Sequence, residues 1–214
     1  MPILAAALLP FVLSVSLAAS FAAKAAEPVK IVVFGDSLVA GYGLAASEAF
    51  PAVLQKMLTE KGHAVTITNA GVSGDTASGG LARLDWSVPD GTQGVILELG
   101  ANDMLRGTDP AVTKDALEKI INRLKERGIA VLLAGMLAAP NLGPDYTARF
   151  NAIYPDLARE HGLMLYPFFL DGVAGNTTLN LSDGLHPTAE GVRRIATAIL
   201  PTVEKFVASL APAR

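Results

Sequence analysis

The amino-acid sequence predicts an α/β fold: a three-layer sandwich in which helices cover both faces of a five-stranded parallel sheet. Three observations carry that expectation. Short apolar runs alternate along the chain with longer segments of helical periodicity. The runs are close to continuously apolar, as strands buried on both faces are. The first three runs each lead into a small, polar, glycine-rich segment: Gly35-Asp36-Ser37, Ala70-Gly71-Val72-Ser73-Gly74-Asp75 and Gly100-Ala101-Asn102-Asp103. Ligands of open parallel sheets bind beyond the carboxyl ends of the strands, so function is expected in those segments.

Taken in order, residues 30–34 (KIVVF) read as a buried strand that ends at Gly35. Residues 50–60 place Val53, Leu54, Met57 and Leu58 at helical spacing, closed by Lys61-Gly62. Residues 65–69 (VTITN) alternate as a second strand, and 95–99 (VILEL) form a third that stops at Gly100. Asp109-Pro110 starts a helix whose apolar face is Ala116, Ile120, Ile121 and Leu124, and Gly128 closes it. Residues 129–133 (IAVLL) are the fourth strand. Residues 146–161 are helical, with a kink or break expected at Pro155, and 163–166 are the fifth strand. Pro187 is expected to open a last helix carrying Val192, Ile195, Ile199 and Val203 on one face. Nothing repeats and no linker divides residues 27–214, which read as one domain.

Composition removes several classes of function. With 51% hydrophobic and 17% charged residues the chain can build a core, so disorder is excluded. It has no cysteine, and therefore no disulfide, thiolate zinc site or cysteine nucleophile. Seventeen basic against 20 acidic residues, with no basic block, make nucleic acid an unexpected partner. Neither a dinucleotide fingerprint nor a phosphate-binding P-loop occurs, and the three histidines stand in no metal-binding spacing, so no cofactor and no metal are expected. Residues 2–23 carry no charged side chain and lead into Ala22, Ala23, Ala25 and Ala26, so 1–26 reads as a secretory signal peptide. The expected location is periplasmic or secreted, without stable membrane insertion of the mature domain. No Lys or Arg precedes the apolar run, which approaches the roughly 20 residues that span a bilayer, so an uncleaved anchor is the alternative.

Candidate chemistry starts with histidine. His63 and His161 each stand beside a helix-terminating glycine and read as capping residues. His186 differs, because Asp183 lies three residues before it in the loop Ser182-Asp183-Gly184-Leu185-His186-Pro187. A carboxylate there can accept from imidazole Nδ1, fix the tautomer and stabilise the imidazolium, as a general base requires. Ser37, at the turn after the first strand, is the candidate nucleophile. Taken alone, Ser37 reads more readily as a helix N-cap than as a nucleophile, whereas Asp183 reads less readily as the cap of the next helix than as the partner of His186. Developing negative charge needs preorganised donors: the backbone N–H groups of Ser37 and Gly74 and the side-chain amide of Asn102 are available at the same edge.

These segments together, Gly35-Asp36-Ser37-Leu38, Gly71-Val72-Ser73-Gly74-Asp75, Gly100-Ala101-Asn102-Asp103 and Asp183-Gly184-Leu185-His186-Pro187, resemble the ordered blocks of the GDSL, or SGNH, hydrolase superfamily. Within it the chain is most similar to the periplasmic group of thioesterases, lysophospholipases and arylesterases, over nearly all of residues 29–208. The resemblance implies the flavodoxin-like SGNH fold, Ser37 as nucleophile, Asp183 and His186 completing a triad, and an oxyanion hole of Ser37, Gly74 and Asn102. It also implies a small-molecule ester or thioester as partner. Segments 136–144 and 172–181 depart from the pattern expected of the thioesterase branch, so acyl preference does not follow from the resemblance. Met104, Leu105, Leu137 and Leu142 are the candidate walls of a substrate groove. The function expected is a serine esterase acting on short-to-medium acyl or aryl esters, with thioesters or lysophospholipids included. A carbohydrate O-deacetylase on the same scaffold and a non-catalytic phosphate- or nucleotide-binding module are the alternatives.

Overall fold

Buried apolar runs become the sheet. In the computed structural model, which describes residues 27–210, the strands are Val29–Gly35 (β1), Val65–Gly71 (β2), Gly94–Glu98 (β3), Ala130–Ala134 (β4) and Met164–Tyr166 (β5). All pair in parallel in the order β2-β1-β3-β4-β5, which is the expected sandwich with flavodoxin-like strand order. The segment read as a signal peptide lies outside the described residues. β1 and β3 are buried almost throughout, whereas β2 is an edge strand that leaves Thr66, Thr68 and Asn69 exposed. That is why β2 alternates in sequence and the inner strands do not.

Helices Phe50–Glu60 (α2) and Ala189–Leu210 (α7) pack together, while Ala77–Ser87 (α3), Pro110–Glu126 (α5) and Pro144–His161 (α6) form a second packed row. Short helices Ser37–Ala40 (α1) and Ala101–Leu105 (α4) follow β1 and β3 directly. Ile31, Val33, Phe34, Ile96, Leu97, Leu132 and Leu133 of the sheet, with Leu54, Leu84, Ile120, Phe150 and Ile199 of the helices, are essentially removed from solvent.

Three local outcomes differ from the sequence pattern. Helix α3 was not legible, because its segment ASGGLARLDWS has two glycines and little apolar period. It forms because Thr76 caps it, accepting the N–H of Gly79, and because Ala77, Gly80 and Leu84 are buried. Helix α6 runs unbroken through Pro155: Phe150, Ile153, Tyr154 and Leu157 anchor one face on both sides of it. Burial of four large side chains outweighs the roughly 3 kcal/mol cost of an internal proline. Pro187 does not open α7. It forms a bridge with Asn180, Thr188 N–H donates to the Leu179 carbonyl at 2.8 Å, and the helix begins at Ala189 with Thr188 Oγ1 accepting from Gly191 N–H.

The register sets the site. β1 lies between β2 and β3, with Gly35 level with Gly71 on one side and Glu98 on the other. The three glycine-rich segments therefore emerge side by side. Gly71 is required there: a Cβ would stand 2.2 Å from Ala40 N and 2.8 Å from the Asp36 carbonyl. Both obstacles are backbone, so α1 would have to move. Gly71→Ala is expected to destabilise the fold by about 1–3 kcal/mol. Gly62→Ala meets nothing within 4 Å and adds only the strain of a positive φ, about 1–2 kcal/mol. Urea denaturation, combined with an activity assay, separates the two: both variants lose stability, but only Gly71→Ala is expected to lower activity in the folded enzyme.

Candidate active site

Strand β1 runs out at Gly35, and Asp36 turns the chain into α1 by accepting the N–H of Leu38 on Oδ1 at 2.9 Å. Ser37 is thereby the first residue of α1, 7% exposed. The loop before α7 comes to the same place. Its Leu181 N–H donates to the His186 carbonyl at 2.7 Å, and Asp183 Oδ1 accepts the N–H groups of Leu185 and His186 at 2.9 and 3.0 Å. His186 Nδ1 is 2.6 Å from Asp183 Oδ2, and its Nε2 is 2.9 Å from Ser37 Oγ. Hydroxyl, imidazole and carboxylate form one unbroken line between residues 149 positions apart.

The electrostatics give that line a direction. The backbone N–H groups of His186 and Leu185, and then the imidazole, hold the Asp183 carboxyl down to about 2. It stays ionised into acid solution and can only accept, so Nδ1 carries the proton and Nε2 offers its lone pair to the Ser37 hydroxyl. That is the arrangement by which an imidazole removes a proton from an attacking oxygen.

The residues expected as oxyanion donors stand on the neighbouring segments. Asn102, in the first turn of α4, donates one amide N–H to Asp36 Oδ2 at 2.9 Å and keeps the second. Gly74 has φ +81°, a conformation L side chains rarely adopt, and its carbonyl accepts from Arg106 Nη2 at 2.7 Å. Below this surface, Arg83 ties the strand ends together. Its guanidinium donates to Asp75 Oδ2 at 2.6 Å, to the Ala70 and Gly35 carbonyls at 2.9 and 2.8 Å and to Ser87 Oγ, and stacks 4.1 Å above the Phe34 ring.

Three carboxyl groups lie beneath the line. Burial pushes Asp36 up to about 6, against the bonds from Leu38 and Asn102 and the charge of His186. Glu98 is fully buried and shifted well upward by desolvation and then by the Asp36 charge. Asp103 is also raised by burial; it accepts Ala77 N–H at 2.8 Å and Thr113 Oγ1 at 3.2 Å, joining α4 to α3 and α5. A glutamate inside the run VILEL was the one sequence signal of this layer. Arg83 and Arg106 gave none.

The remaining candidates fall elsewhere. His63 and His161 bond to Glu204 and Glu118 at 3.1 and 3.3 Å, as capping-region residues. Met104 is buried in the core and Leu142 packs partly against it, which leaves Leu105 and Leu137 with exposed apolar surface among the four expected groove residues. Among the described residues, Glu118, Glu160 and His161 could surround an ion, but Lys114 already meets Glu160 at 3.0 Å.

A parallel sheet whose carboxyl edge carries a serine–imidazole–carboxylate line has the architecture of a serine hydrolase. Residues 33–194 match the GDSL-like lipase/acylhydrolase family. The chain is 40% identical over 189 residues to an arylesterase of Vibrio mimicus, covering 88% of this chain and 94% of that one. It is 38% identical over 189 residues to the thioesterase 1/protease 1/lysophospholipase L1 of Escherichia coli, covering 88% of each. Its fold superposes on the crystal structure of AlinE4, an SGNH-hydrolase family esterase, with a TM-score of 0.72 at 45% identity, over 86% of this chain and 98% of that one. The chain belongs to the GDSL-like lipase/acylhydrolase family and is a carboxylic ester hydrolase.

Burial of Asp36 has a measurable consequence. Its carboxyl holds a proton more tightly in the folded state than in the unfolded chain, so its contribution to stability is complete below about pH 4 and is lost as pH rises through about 6. Asp36→Asn cannot ionise. Relative to wild type it is expected to gain on the order of 1–3 kcal/mol between about pH 4 and pH 8, read from urea denaturation at both values. A gap that does not change with pH would contradict this.

Proposed function

We propose that this chain is an exported serine esterase that cleaves short-to-medium acyl and aryl esters, and thioesters, through an acyl-enzyme. The supporting observation is the continuous line from Ser37 Oγ through His186 to Asp183. In this reading Ser37 Oγ attacks the acyl carbonyl while its proton passes to His186 Nε2, and Asp183 stabilises the imidazolium so formed. The carbonyl oxygen, now negative, is held by the N–H groups of Ser37 and Gly74 and the free amide N–H of Asn102. Collapse breaks the bond to the leaving oxygen or sulfur, which takes the proton from His186. Water then attacks the acyl-enzyme by the same route and regenerates Ser37.

The relatives named as arylesterase and as thioesterase and lysophospholipase support this substrate range. Export rests on the charge-free run 2–23 and the small residues after it. No helix among the described residues is long and apolar enough to cross a membrane. N-terminal sequencing of the protein recovered from a periplasmic or culture fraction tests export and cleavage near residue 26. Recovery of the uncleaved chain in the membrane fraction would replace this reading with an anchor.

Ser37→Ala is expected to lower kcat by about 10⁴-fold or more without unfolding the protein, with His186→Ala similar and the double variant hardly worse than either. Turnover of a chromogenic ester close to wild type in Ser37→Ala would end the proposal. Asn102→Ala is expected to lower kcat by about 10²–10³ with KM little changed. An effect mainly on KM would make Asn102 a substrate-binding residue. Leu105 and Leu137 offer little wall for a long chain, and each covered methylene is worth only about 0.8 kcal/mol. Across p-nitrophenyl esters of graded length, kcat/KM is therefore expected to peak at or below about eight carbons. A steady rise to palmitoyl esters would instead point to a long-chain enzyme.

A further inference from the structure

One side chain at the site is absorbed by neither the sequence pattern nor the mechanism above. Tyr42 is 52% exposed, yet its ring lies against His186, with centroids 4.4 Å apart and planes inclined by 34°. Its position is built into the turn that carries Ser37. The Ser37 carbonyl accepts the N–H groups of both Gly41 and Tyr42, each at 3.1 Å, and Gly41 closes α1 in the left-handed conformation. The turn that carries the serine hydroxyl therefore also sets a tyrosine ring against the imidazole.

We propose that Tyr42 is a positioning residue for His186, supplying an aromatic face that fixes the tilt of the imidazole and favours the imidazolium formed during catalysis. This rests on the reading of Ser37, His186 and Asp183 given above. The two hydrogen bonds on the imidazole, to Asp183 at 2.6 Å and Ser37 at 2.9 Å, lie at its edge. They leave the ring free to tilt about the line joining its bonded atoms, and a second ring on its face restricts that motion. The negative face of a phenol also attracts a cation, and the attraction appears only when His186 is protonated. It therefore acts on the step that creates the charge. Among the described residues, His186 bonds Asp183 in its own loop and Ser37 on the α1 turn, lies against the Tyr42 ring, and acts electrically on the buried Asp36 at the start of α1. Of these, only Tyr42 meets the ring through its face.

The test compares kcat, KM and the pH profile of kcat/KM for wild type, Tyr42→Phe and Tyr42→Leu on p-nitrophenyl butyrate, with Ser37→Ala as reference. Phenylalanine keeps the aromatic face and is expected to stay within about twofold of wild type. Leucine fills the space without it and is expected to lose about 3- to 20-fold in kcat with KM little changed, and to move the acid limb of the profile about 0.3–0.7 unit to lower pH. Tyr42→Gln repeats the comparison if leucine lowers the unfolding temperature. A non-aromatic variant with wild-type kcat and an unmoved acid limb overturns the inference, as does a loss confined to KM or one shared equally by phenylalanine. An active Ser37→Ala would instead overturn the reading of the site on which it rests.

Discussion

A buried carboxyl next to the proposed nucleophile organises this edge of the molecule. Asp36 uses one oxygen to start α1 by capping Leu38 and the other to hold the Asn102 amide. It also stands against Glu98, so two acids share an apolar site beneath Ser37. Burial, and then the neighbouring Asp36 charge in a medium that hardly screens it, push the Glu98 carboxyl well above its ordinary range. A single residue thus connects where the serine sits, how the amide points and how Glu98 is shifted. Loosening it would disturb all three together.

The polar layer is tied to the sheet as firmly as the apolar core is. Arg83 satisfies the carbonyls of Gly35 and Ala70, at the ends of β1 and β2, and grips Asp75 beside Gly74. Asp103 does the same between α4, α3 and α5. Buried polar groups are tolerated only when their partners are present, so such networks admit few alternative arrangements. That restriction is what a preorganised oxyanion site requires, since donors that must reorient during the reaction stabilise its transition state less.

Above this rigid floor the surface is open. Tyr42, Leu105, Leu137, Val72 and Leu185 all keep exposed apolar area in segments that follow strands or flank His186. In the proposed reading these exposed side chains are the walls of a shallow groove that covers acyl and leaving groups incompletely. Selectivity would then rest on a few contacts rather than on an enclosing tunnel.

The sheet and its order of elements were legible in the sequence because hydrophobic periodicity is a local property. Buried strands read as apolar runs, and α2, α5 and α7 showed their faces within a few turns. Ser37, Asp183, His186, Gly74 and Asn102 could be singled out as candidates for a related reason: each lies in a short segment of small and polar residues directly after or before an element. Other features depended on partners distant in sequence. Glu98 and Asp36 meet only because β3 pairs with β1, and the role of Arg83 exists only once two strand ends lie under one side chain. The same holds for Pro155, which its neighbours' burial keeps inside α6, and for Pro187, which a bridge to Asn180 holds short of α7. Tyr42 was invisible for the same reason, because it faces a histidine 144 positions along the chain. Local pattern marked the elements and the candidate residues of the site. Packing decided the upward shift of the acids beneath them, the contact between Ser37 and His186 and the aromatic face set against the imidazole, because those depend on which distant residues it brings within a few ångströms.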